Sequence, residues 1–163
     1  MERKYQSSLA RSAGRPISSA RQLLRALREA GFVPGHGAIP TSTHIARIIM
    51  ALAADTAKAA PERVRALRLL PCRTACGLPS TAEAMLTRLV EIVDASPVLD
   101  EFDIDGGTLH IGPTWVTLEC LSLTGKRAAV RYGDSAGDAV TASVSIPIAT
   151  IREIANSILE KSQ

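Results

Sequence analysis

The chain of 163 residues predicts an α+β fold: an N-terminal helical part of three to four helices, a small antiparallel β-meander, and a C-terminal helix. Three observations carry that reading. Apolar residues recur at helical spacing from residue 18 to about residue 94, the period changes to two from Val98, and helical spacing returns after Pro147. Helices first and strands second is the segregated order of α+β domains, not the alternation of a parallel sheet.

Residues 1 to 16 are polar and basic, contain Gly14 and Pro16 and show no period that would bury a face, so they read as a flexible arm carrying Arg3, Lys4, Arg11 and Arg15. The first helix is predicted over Ser18 to Ala30. It has a Ser18/Ser19 cap, Leu23, Leu24 and Leu27 on one side, and Gly31 where a left-handed residue ends a helix. Gly31 to Ser42 holds three glycines and two prolines and predicts a loop. A second helix then starts near Thr43, capped by Ser42 or Thr43, with Ile45, Ile48, Ile49 and Leu52 inward and His44, Arg47, Ala51 and Ala54 on its other side. The third is predicted from Pro61, suited to a first helical position, to about Leu70, with Val64 and Leu67 inside.

Pro71 to Pro79 reads as a break. Ser80-Thr81-Ala82-Glu83 then has the spacing of a capping box, and Met85, Leu86, Leu89, Val90 and Val93 continue a fourth helix as far as about Asp94. Leu109 and Ile111, then Val116, Leu118 and Cys120, alternate with more polar neighbours as strands with one wet face do. Gly106-Gly107, Thr124-Gly125 and the stretch Gly133 to Asp138 predict turns between three or four strands, the last from Val140 to Ile146. Thr150-Ile151-Arg152-Glu153 has the spacing of a second capping box, opening the final helix with Ile151, Ile154, Ala155 and Ile158 inward.

Charge divides the chain more sharply than any other property. Residues 1–79 hold 13 Lys and Arg against 4 Asp and Glu, a net +9, and residues 80–163 hold 6 against 12, a net −6. The sequence therefore reads as the arm (1–16), a basic helical region (17–79) and an acidic α+β region (80–163), the last two sharing one core or forming two. An arginine-rich half suits a polyanion, because guanidinium groups grip phosphate with a planar fork of donors and gain affinity by releasing counterions. Arg21, Arg25 and Arg28 line one side of the first helix, and Arg65 and Arg68 lie outside on the third. The expected partner is double-stranded DNA, held by phosphate contacts through these five arginines, with His44 and Arg47 near the start of the second helix as candidates for base contact. A helix-turn-helix joins its helices by about 3–4 residues, so the long Gly31 to Ser42 connection makes this at most a variant. The aromatic content of 3% leaves few platforms for stacking single-stranded bases.

Other chemistries find less support. Cys72 and Cys76 with His36 and His44 assemble a zinc site on paper, but the histidines belong to different elements and no second close pair exists. Asp100, Glu101, Asp103 and Asp105 lack the full spacing and closing Glu of a calcium loop. His36, His44 and His110 fall in three elements without an evident partner; no phosphate loop, zincin helix or nucleophile elbow is present. The expectation is a non-enzymatic protein with no metal, no cofactor and no small-molecule substrate. An odd count of three cysteines, no apolar N-terminal core and no long apolar run point to the cytoplasm, with no membrane partner. Short strands with open edges suggest a homodimer.

Leu24-Arg25-Ala26-Leu27-Arg28-Glu29-Ala30-Gly31-Phe32-Val33-Pro34, the glycine-containing loop and His44-Ile45-Ala46-Arg47 resemble the start of short uncharacterised proteins carried by bacterial prophages. The likeness covers roughly residues 20–55. It implies a mobile-element context, gene control or packaging, and no site residues; the combined expectation is a phage-type transcriptional regulator. The rival expectation is an assembly or packaging-type adaptor in which the basic half of one subunit meets the acidic half of another. An inhibitor using Asp100 to Asp105 as a phosphate mimic ranks last, because it leaves the basic half unexplained.

Overall fold

Gly31 shows how local chemistry sets the first turn of the chain. The structure, a computed structural model, describes Ser7, Ala10, Gly14 and residues 16–74, 76–93, 95–134 and 143–159, so most of the predicted arm lies outside the described residues. Helix α1 (Ile17–Glu29) buries Ala20, Leu23, Leu24 and Leu27. Gly31 takes φ +74°, and the amide of Phe32 donates to the carbonyl of Leu27 at 2.9 Å. This closure, available to glycine without a Cβ clash, turns Phe32 back into the protein, where it is 7% exposed.

Helix α2 (Ser42–Ala51), a 3-10 turn (Ala57–Ala59) and helix α3 (Ala60–Arg68) follow, then α4 (Ala82–Ile92). α2 packs against α1, α3, α4 and the C-terminal helix α5 (Ile148–Leu159). Ile45, Ala46, Ile48, Ile49, Met50 and Ala51 are all 0% exposed, and of the side expected to face outward Ala51 and Ala54 are buried and His44 and Arg47 half-buried. The small Ala46 and Ala51 let neighbours approach on the faces that larger residues would hold apart.

Helix starts differ from those expected, each for a local reason. α1 begins at Ile17, directly after Pro16, with no side-chain cap, so Ser18 and Ser19 lie inside it. Thr41, one residue before the predicted caps, closes α2. The cap of α4 is Thr81, whose hydroxyl accepts from the Ala84 amide, and Glu83 is not part of a capping box. α5 starts at Ile148, two residues before Thr150, because the 1% exposed Ile148 must enter the core as soon as the strand ends.

The sheet is antiparallel: β1 (Val98–Leu99), β2 (Phe102–Ile111), β3 (Trp115–Ser122) and β4 (Arg127–Gly133) run in that order, and β5 (Val144–Pro147) pairs with the second half of β2 beside β1. Leu109 faces Leu118 and Ile146, and Leu118 faces Val130, so these four form an apolar row on the inner face. α5 packs against β2 and β5 and touches α2 and α4, joining the layers. One hydrophobic cluster includes Leu23, Ile48, Leu67, Leu118 and Ile158, so the charge reversal near Pro79 does not divide the core.

Two predicted breaks have other roles. Gly106-Gly107 is not a turn: it lies within β2, where register shifts between Asp103 and Thr108, and a Cβ on Gly107 would stand 2.8 Å from the carbonyl of Glu119. The pair forms a bulge, permitted because neither glycine has a side chain. Residues 71–74 run beside β4: Cys72 bridges Tyr132, the Arg73 amide donates to Arg131 at 2.7 Å, and the Gly133 amide donates to Pro71 at 3.0 Å. Part of the sheet edge expected to be open is therefore covered by the chain itself. The part of the last strand predicted over residues 140–142 lies outside the described residues.

Gly133 has φ +75°, and a Cβ there would collide with the carbonyl of Thr114 and press on Leu70, whereas Gly125 has φ +79° in open space. Gly133→Ala is expected to cost about 3 kcal/mol and Gly125→Ala about 1 kcal/mol. Urea unfolding of both variants measures the difference; equal losses would show that the collision is relieved.

Candidate functional site

Phe32, carried inward by the end of α1, is the centre on which three of the predicted arginines converge. The guanidinium carbons of Arg47, Arg65 and Arg68 stand 5.9, 5.5 and 5.9 Å from its ring centroid. Arg47 comes from α2, and the other two come from α3. Cations at this range are drawn to the electron-rich ring, each by about 0.5–2 kcal/mol depending on desolvation, while they repel one another.

Acidic partners offset only part of that repulsion. Arg47 Nε donates to Glu83 Oε1 at 2.6 Å with both side chains 19% exposed, and Arg47 Nη1 donates to the Phe32 carbonyl at 3.2 Å. The more exposed Arg65 pairs with Glu62 at 3.1 Å. Among the described residues no carboxylate lies within ion-pair distance of Arg68, nor of Arg63 and Lys58 nearby in sequence. The local balance is positive.

Arg21 and Arg25 are exposed on α1, and Arg25 is held by Glu29 at 2.7 Å. Arg28 is half-buried with Nη1 3.5 Å from His36 Nε2. His44 is engaged within its own helix start, where the Thr41 amide donates to its Nδ1 at 3.0 Å and the His44 amide donates back to the Thr41 hydroxyl. Burial, then the positive charge of Arg47, holds the imidazole below its ordinary value. α2 exposes none of its residues, which leaves little of it to enter a DNA groove.

The remaining candidates separate. Cys72 and Cys76 come together, sulfur to sulfur 3.9 Å, but among the described residues no three His, Cys, Asp or Glu side chains converge as metal ligands. Arg88 binds Asp100 at 3.2 Å, and Asp103 accepts from the amide of Asp105 at 3.0 Å. His110, without an evident partner in the sequence, has Nδ1 2.8 Å from Ser145 Oγ and Nε2 3.3 Å from Glu119 Oε2. The second approach is out of line for a hydrogen bond, so it attracts as an ion pair only while the ring is doubly protonated. Ser145 and Glu119 are exposed, and the three residues form a cross-strand row on the outer sheet face, with His110 Nε2 itself shielded from solvent.

Sequence reading missed Phe32 and Glu83 as parts of the site. Phe32 follows Gly31 at the position where a helix ending of this kind places an apolar residue, a signal that was available. Glu83 lies 36 residues from Arg47, and nothing local couples them. No family model matches the chain, and neither characterised proteins nor solved structures give a match to it. No helix among the described residues is long and apolar enough to cross a membrane.

Two outcomes test these assignments. Removing the carboxylate with Glu83→Leu strands a mostly buried guanidinium and is expected to cost about 2 kcal/mol, while the Arg47→Met, Glu83→Leu double variant recovers most of it; a denaturant double-mutant cycle of Arg47→Met and Glu83→Leu without coupling would reject the pair. For His44, a lowered folded-state value means that the unfolded chain binds more protons in the window below about pH 6.5. Stability is therefore present above that pH and lost as pH falls through the window. His44→Gln, which keeps an acceptor for Thr41 but does not titrate, should lose less melting temperature than the parent chain between pH 7 and 5; an identical loss would remove His44 from the pH response.

Proposed function

We propose that this is a non-enzymatic DNA-binding protein that holds the phosphate backbone with its basic helical half. The observation that supports this reading is the crowding of Arg47, Arg65 and Arg68 around Phe32 with fewer carboxylates than cations. A phosphate beside Arg65 and Arg68 would relieve their mutual repulsion and displace condensed counterions, two gains that need no base contact. Arg63 and Lys58 extend the positive charge of the α3 region, and Arg21, Arg25 and Arg28 supply a second row on α1. Arg47, paired inside, acts as a positioning residue that fixes Phe32 and α2. Base reading by Arg47 and His44 is no part of this proposal, because both are occupied internally.

The prophage resemblance suggests gene control in a mobile element as the setting, with the acidic half serving self-association. The charge split itself favours a second reading, an assembly protein whose +9 and −6 halves meet between subunits; such oligomers dissociate in high salt without nucleic acid, which light scattering detects.

Fluorescence anisotropy with a random-sequence duplex across a salt series tests the first reading. The full chain is expected to bind with a steep salt dependence, and Arg63→Ala, Arg65→Ala, Arg68→Ala combined should flatten the logarithmic slope by roughly 0.9 per lost phosphate contact. No binding at low salt, or an unchanged slope in the variant, overturns it.

A further inference from the structure

We propose that Cys72 and Cys76 form a reversible modification site, a dithiol that low-molecular-weight disulfides such as oxidised glutathione convert to an intramolecular disulfide. The two sulfurs are 3.9 Å apart and both residues are half-buried, so neither is sealed from a small reagent. A disulfide needs about 2.05 Å between sulfurs, a closure of roughly 2 Å.

The backbone around the pair is held from several sides. The Cys72 amide donates to the Ser80 carbonyl at 2.9 Å and the Arg73 amide to Arg131 at 2.7 Å. Tyr132, 0% exposed, donates its hydroxyl to the Pro79 carbonyl at 2.8 Å, and Leu78 is 7% exposed. These ties fix the chain at Cys72 and just after Cys76, and with the sulfurs 3.9 Å apart ring closure is favoured over a second intermolecular step. The Cys72 thiol donates to the Thr74 carbonyl at 3.3 Å, a weak bond that the closure gives up. Burial pushes the Cys76 thiol up, so reaction accelerates with pH.

The balance is that of two exchanges. One cysteine thiolate attacks oxidised glutathione, forming a mixed disulfide and releasing one glutathione thiolate; the second cysteine, as its thiolate, attacks the protein sulfur of that adduct and releases the other. Two protein thiols are oxidised, and one glutathione disulfide is reduced to two thiols. Cys120 stands apart: it is 8% exposed on the inner sheet face, and burial, then the charge of Asp103, pushes its thiol up to about 11. The inference rests on the thiol geometry alone and holds whether or not the protein binds DNA.

The test treats the native full chain with excess oxidised glutathione at neutral pH, blocks remaining thiols with N-ethylmaleimide after unfolding, and measures intact and tryptic masses. Trypsin cuts after Arg68, Arg73 and Arg88, so Cys72 and Cys76 fall in separate peptides that stay joined only through a disulfide. The expected result is a chain lighter by two hydrogens with one thiol blocked, and a linked pair, Leu69–Arg73 with Thr74–Arg88, that separates on reduction. Cys76→Ser should stop at a glutathione adduct on Cys72, and Cys120→Ser should close like the parent chain. Three blocked thiols, glutathione adducts that persist on the parent chain, or links that include Cys120 overturn the proposal.

Discussion

Covering a ten-residue helix that exposes none of its residues is the constraint to which the other elements conform, because each face of α2 must meet something. Branched Ile45, Ile48 and Ile49 fill the larger gaps, and Ala46 and Ala51 admit close neighbours where a longer residue would overpack. Its polar residues other than Arg47 lie in its first turn, where Thr41 and His44 satisfy two of the free amides. α1, α3, α4 and α5 surround it, and α5 reaches back to the sheet. An all-helical first half and a mostly β second half are thereby one packed body.

The electrostatics follow from the same arrangement. Holding α2 inside brings Arg47 to a site that is mostly dehydrated, and a charge there requires a partner. Glu83 of α4 supplies it, so this ion pair spans the point where the net charge of the chain changes sign. The exposed Arg65 and the half-buried Arg68 reach the same aromatic ring from α3, with fewer anions. Positive charge is thus compensated at Arg47 and left in excess around α3.

The order of elements was legible because apolar periodicity reports the faces that must be covered. Leu23, Leu24 and Leu27, or Leu109 against Ile111, state their element almost without ambiguity. Starts were less legible. Glu83 has the spacing of a capping residue and is drawn to Arg47 instead, and Thr150 has the spacing of a cap but follows Ile148, whose burial begins the helix earlier. The burial of both sides of α2 was hidden for a related reason: alanine is compatible with either face, so Ala46, Ala51 and Ala54 carry little directional signal. Of the candidate site, the arginines were visible as a stripe of charge. Phe32 as their centre depends on a three-dimensional turn that the pattern of charges does not encode.

The short run from Pro71 to Thr74 lying along β4 has a consequence for how copies of this chain behave when crowded. An uncovered strand offers a row of amides and carbonyls that a neighbouring molecule can extend, the first step toward filaments. Here that side carries a length of the protein's own backbone, and the opposite side is divided between a two-residue strand and a four-residue strand ending in Pro147, which has no amide to offer. Among the described residues neither margin presents a long regular template. The fold carries its own protection against edge-to-edge aggregation.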